Sequence, residues 1–209
     1  MTYIENVFIC LAAPLMVAVC CAAGPRRRSM LFILAGMAAC LSAAYINAFA
    51  AITLRADARA TSLEIAPVIE EVMKLMPVLF YLLVFEPRGR KVAGEAVMVA
   101  VGFATLENAC YLTANGAGNG FYLLIRGFAT GAMHVACGAV TALGMASLWD
   151  RLGLRAASAL GALCLSITCH GVYNILVDQP APVAYIGYAL PIVTLAVTLT
   201  LRRRLFPGD

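Results

Sequence analysis

Seven apolar runs alternate with short polar clusters along the chain, and each run is long enough to cross a bilayer as a helix. They predict helices over residues 7–23, 30–54, 67–85, 92–114, 121–148, 156–177 and 185–201, because a spanning helix needs about 20 mostly apolar residues. The clusters GPRRRS, EPRGRK, NGAGNG, DRLGLR and DQPAP carry the Gly, Pro, Asn and Asp that break helices and start turns. The alternating strands of a membrane barrel, each about ten residues long, are absent. RADARATSLEI, between the second and third runs, mixes charges with Leu63 and Ile65. It fits a solvated loop or a short amphipathic helix on the membrane surface equally well. The expected fold is an all-α polytopic membrane bundle of about seven transmembrane helices, one integral-membrane domain over residues 1–209.

Composition agrees with this pattern and narrows it. The chain is 63% hydrophobic and 12% charged, against roughly 45–50% and 25% in soluble domains. Collagenous, disordered and nucleic-acid-binding classes are excluded, and no internal repeat or soluble linker is visible. The acidic start MTYIEN is read as the beginning of a retained helix, since a signal peptide opens on basic residues. All eight cysteines lie in apolar runs without a CxxC pair, so they read as small hydrophobes.

Charge adds an orientation. Arg26, Arg27, Arg28, Arg88, Arg90, Lys91, Arg151, Arg155, Arg202, Arg203 and Arg204 fall on one set of alternate connections, and only Arg55 and Arg59 on the other. By the positive-inside rule the first set is cytoplasmic, which puts the N-terminus outside and the C-terminus inside a cell (inner or plasma) membrane.

The remaining charges lie inside the predicted spans. Glu70, Glu71 and Lys74 open the third helix, Glu107 lies in the fourth, Arg126 and His134 in the fifth, and His170 in the sixth, followed by Asp178. A charge at mid-bilayer costs roughly 2.5–3.5 kcal/mol on insertion scales. Each of these residues taken singly is an ordinary structural group. Together they are expensive, and lipid cannot satisfy them. Helical spacing puts Glu70 with Lys74, Glu107 with Tyr111 and His170 with Asn174 on shared faces, and Arg126 two turns from His134. Four polar stripes are therefore expected to converge in one water-accessible cavity in the outer half of the membrane.

These blocks, EEVMK, ENACY, Arg126 with His134, and HGVYN, resemble in order the EExxK, ENxxY, R…H and HxxxN blocks of PrsW-type intramembrane proteases. The motif-bearing core covers residues 66–178. A more distant likeness is to CAAX prenyl endopeptidases and bacteriocin-immunity membrane proteins, but there the basic residue usually stands one position later and is Arg. The resemblance implies hydrolysis of a peptide bond in a small membrane-anchored protein, such as an anti-sigma factor, near the external surface, with protein and lipid as the only partners.

In that reading Glu70 or Glu71 activates water, with Lys74 tuning the pair, because adjacent carboxylates can serve as a general base. His134, His170 and Asn174 stabilise the oxyanion or the leaving amine, and Glu107, Asn108, Tyr111 and Arg126 complete the set. His134, His170 and Glu107 could form a His₂Glu set for a divalent metal such as zinc, while a glutamate-type enzyme needs no cofactor. Both remain open. A transporter or proton-conducting protein would also place Glu, His and Lys in the membrane, with Glu95 its only candidate in the inner half, and a non-catalytic protein on the same fold is a third class.

Overall fold

Backbone amides in hydrocarbon have no water to bond, so an apolar chain must satisfy them within each span. The computed structural model describes residues 4–85, 87–116, 118 and 120–206, and no strand occurs among them. Seven long helices form: α1 (Ile4–Cys21), α2 (Gly24–Leu54), α3 (Ala66–Phe85), α4 (Ala93–Asn115), α5 (Gly120–Leu148), α6 (Arg155–Val177) and α7 (Val183–Leu205). Six of them are apolar and long enough to cross a membrane. The other, α3, has 20 residues and carries Glu70, Glu71 and Lys74. Met1 to Tyr3, in the predicted N-terminal segment, and Glu86, Ala117 and Asn119, in two predicted turns, lie outside the described residues, as do the side chains of Arg90 and Lys91.

The polar punctuation is more helical than expected. GPRRRS is the first turn and a half of α2, leaving only Ala22 and Ala23 between α1 and α2. Pro25 explains this, since its preset φ and missing N–H suit the first turn of a helix. At the other end of the chain α7 continues through Arg202, Arg203 and Arg204, where cations complement the carboxyl end of the helix dipole. RADARATSLEI is helical as well. Asp57 caps Ala58–Ala60, its Oδ1 accepting from the Ala60 N–H at 2.7 Å, and a π-helical turn, Thr61–Ile65, runs straight into α3. This strap follows Arg55, whose left-handed φ of 54° ends α2.

Central helix α4 packs against α2 on one side and α5 on the other, while α6 and α7 cover the far side of α5 and α3 lies against α2. Val99, Phe103 and Leu106 are fully enclosed. Close approach of α2 and α4 depends on two glycines. A Cβ on Gly36 would stand 2.0 Å from the Val99 carbonyl oxygen, and one on Gly102 would stand 2.0 Å from that of Ile33. The outer surfaces stay apolar, with Phe49, Ile52, Phe128 and Ile192 all exposed, as a lipid-facing surface requires. All eight cysteines are free. Glu95, the inner-half candidate for a polar path, pairs with Arg28 at 2.6 Å.

Candidate active site

Each ionisable residue of the four stripes faces the interior because its own helix buries that face. On α3, Glu71 and Lys74 sit with Leu75 and Val78 on the buried side, one helical turn apart, and the Lys74 ammonium donates to Glu71 Oε1 at 2.5 Å. Lys74 also donates to His134 Nδ1 at 3.0 Å. With that nitrogen accepting, His134 Nε2 carries the proton and donates to Glu107 Oε2 at 2.6 Å. Across the site His170 Nδ1 donates to Glu71 Oε1 at 2.7 Å. Its unprotonated Nε2 then faces Glu70 Oε2 at 3.8 Å.

Two imidazoles thus stand at the centre, 5.1 Å apart and edge to face, with His134 1% and His170 3% exposed. The ring of Phe103 closes one side, 5.1 Å from His134 and 5.2 Å from the Lys74 ammonium. A cavity of about 490 Å³ opens beside them, lined by Glu70, Glu107, Arg126, His170 and Asn174 and roofed by Ala58, Arg59, Ser62 and Leu63 of the strap. Two polar ties hold the strap to α6. Arg59 donates from Nε to Asp178 Oδ2 at 2.8 Å, and Asn174 Nδ2 donates to the Ser62 carbonyl at 2.9 Å.

Among the residues singled out in the sequence, Glu70, Glu71, Lys74, Glu107, His134 and His170 form one connected polar cluster. Asn174 and Arg126 border it, Arg126 reaching Glu107 Oε1 at 3.4 Å while its guanidinium stacks 3.6 Å from the centre of the Tyr111 ring. Asn108 stands apart. It lines a separate small cleft with Tyr111 on the far side of Arg126.

The fold also recruits residues that the motifs did not include. Asn47 of α2 donates to Glu70 Oε1 at 3.3 Å, and a lone amide in the apolar run YINAFA was a legible sign of an interior partner. Thr130 and Tyr173 line the cavity and share a hydrogen bond of 3.0 Å. Their signal was spacing, since Thr130 lies four residues from both Arg126 and His134, and Tyr173 three from His170.

Glu70, His134 and His170 each offer a ligand atom within 4.8 Å of the other two. Two imidazoles and a carboxylate are a common protein ligand set for catalytic zinc, and His170 meets a further requirement of such sites. Its second ring nitrogen is held by the Glu71 carboxylate, as outer carboxylates orient metal-bound histidines. His134 ligates through Nε2 only when the proton it donates to Glu107 has left, so cation binding is coupled to proton release. With that exchange the residues fit a divalent metal.

Comparison with known proteins identifies one family. The sequence model described as PrsW family intramembrane metalloprotease matches residues 24–200, from the first residue of α2 into α7. No curated protein and no solved structure gives a significant match.

Proposed function

Since this chain belongs to the PrsW family of intramembrane metalloproteases, and so is a multi-pass membrane endopeptidase, we propose that Glu70, His134 and His170 hold its divalent cation and that Glu107 is the general base. The observation that carries this reading is the approach of three donor groups from three helices to within 4.8 Å of one another, with Glu70 and His170 bordering a cavity that the Glu107 carboxylate also lines. Zinc is the cation these donors favour. When bound it supplies Lewis-acid charge that polarises a carbonyl and acidifies water.

The remaining chemistry belongs to the chain. Glu107 is more accessible than Glu70, its side chain 27% exposed against 12%. It takes a proton from water as the water oxygen bonds to the scissile carbonyl carbon, and returns that proton to the amide nitrogen as the C–N bond breaks. Arg126 holds the Glu107 carboxylate at Oε1. Glu71 is occupied by Lys74 and His170 at the back of the site, where it orients His170. Asn174 ties down the strap over the cavity. The substrate is a membrane-anchored protein of the anti-sigma-factor type, cleaved near the external surface, because the cavity opens at the strap end of the bundle and the strap connection belongs to the set poor in Lys and Arg.

Zinc content and cleavage measured together test the assignment. Loss of an outer or inner ligand contact typically weakens metal binding by 10–100-fold or more, so Glu70→Gln should lose both zinc and activity. Glu107→Gln should keep zinc and lose activity. The reverse pattern exchanges the roles of the two carboxylates, and full cleavage by both variants refutes the site.

A further inference from the structure

We infer that Tyr173, oriented by Thr130, donates a hydrogen bond to the scissile carbonyl oxygen as it gains negative charge. This rests on the proteolytic site proposed above. Peptide hydrolysis gains from a donor aimed at that oxygen, and several of the donors in the cavity wall are already engaged. Ionised carboxylates only accept. The Asn174 amide gives one N–H to the Ser62 carbonyl and Arg59 bonds Asp178, while Arg126 gives one N–H to Glu107 and stacks on the Tyr111 ring, its buried Nε being left over. His170 is committed on one nitrogen to Glu71 and faces Glu70 with the other.

Thr130 and Tyr173 are different. Both line the same cavity as Glu70, Glu107 and His170, both are buried, Tyr173 to 2% exposure, and a hydrogen bond of 3.0 Å joins them. Two hydroxyls carry two protons, and one bond between them uses one. When Thr130 donates, the phenolic proton of Tyr173 is left free to enter the cavity. The phenol is the more acidic of the two, hence the stronger donor to an oxyanion. Placement is favourable as well, for Tyr173 is one helical turn from His170, and Thr130 is one turn from His134. A donor fixed in place beforehand acts without reorganisation on charge that develops beside it.

The test uses the full chain in liposomes with a single-pass reporter peptide that the unmodified protein cleaves. Tyr173→Phe removes one oxygen and keeps the ring. It should lower kcat by about 100-fold, the usual effect of losing one such donor, while KM and bound zinc stay unchanged. Thr130→Val should lower kcat by less, and Thr130→Ser should restore it. Unchanged kcat in Tyr173→Phe, a loss confined to KM, or a loss of zinc overturns the inference. Should Tyr173→Phe fail to fold, full kcat in Thr130→Val overturns it instead. Glu107→Gln, run alongside, separates the two levels. If it is inactive while Tyr173→Phe is fully active, only the donor role fails; if it too cleaves at full rate, the site assignment fails and the donor role falls with it.

Discussion

At the scale of single residues, the buried pair of Glu71 and Lys74 ties the site to the stability of the fold. Their side chains are 3% and 6% exposed, and the pair also anchors both histidines. Seen in the sequence alone, neutralising Glu71 removes a charge that the membrane disfavours. In the folded protein it removes the anion paired with the buried Lys74 ammonium, which keeps the neutral His134 Nδ1 and the face of Phe103. Breaking a buried pair from one side typically costs about 3–5 kcal/mol. Lys74→Met or Glu71→Leu alone should therefore lower the thermal transition in detergent more than the two changes combined, and an equal or larger loss in the double variant would contradict this. The same reasoning makes Glu107→Gln the cleaner catalytic probe, because Glu107 lies at the cavity edge.

Among the helices, the contact of α2 with α4 is set by Gly36 and Gly102, each facing a carbonyl of the partner helix. Small residues let membrane helices approach closely and gain dispersion contacts. Alanine at either position forces the helices apart, and overpacking of this kind costs about 1–3 kcal/mol. Since α4 carries Glu107 and α2 carries Asn47, Gly102→Ala should lower both the melting temperature and the zinc affinity. The strap is the second element with a specific expectation. Its ties to α6 are an exposed ion pair and one amide bond, and exposed pairs of this kind are weak and sensitive to salt. Asp178→Asn should thus raise hydrogen exchange across residues 58–65 while leaving the melting temperature almost unmoved. Unchanged exchange there would mean that the strap is held by its π-helical junction with α3 alone.

For the whole molecule, ligand linkage and topology are the measurable consequences. A cation that binds only the folded state stabilises it by about 2.7 kcal/mol at 100 times its Kd. Zinc should raise the melting temperature of the unmodified protein and leave that of His170→Ala unshifted. Because proton release accompanies binding at His134, the zinc-induced shift should shrink as pH falls. Orientation is a separate expectation from the partition of Lys and Arg. Reporter fusions should report an external N-terminus and a cytoplasmic C-terminus, and the opposite pattern would move the cavity mouth to the cytoplasmic side.

The number of long helices, their order and the identity of most polar cluster members follow from the sequence, because hydropathy and the cost of intramembrane charge act on each segment before any packing; six of the seven helices, not all, are apolar enough to be spans. Helix ends followed less well. GPRRRS and the arginines after residue 201 join helices, since Pro25 fits a first turn and arginines suit a last one. What only the tertiary structure decided is which partner each ionisable group takes. Spacing allowed Glu70 and Glu71 equal claim to Lys74, yet the face of α3 that packs inward puts Glu71 against Lys74 and His170 and leaves Glu70 lining the cavity with His170. Periodicity fixes positions around one helix axis, whereas the crossing of four helices fixes which of those positions meet. Asn47, Thr130 and Tyr173 enter the site for that reason, from faces whose partners lie more than 20 residues away in the chain.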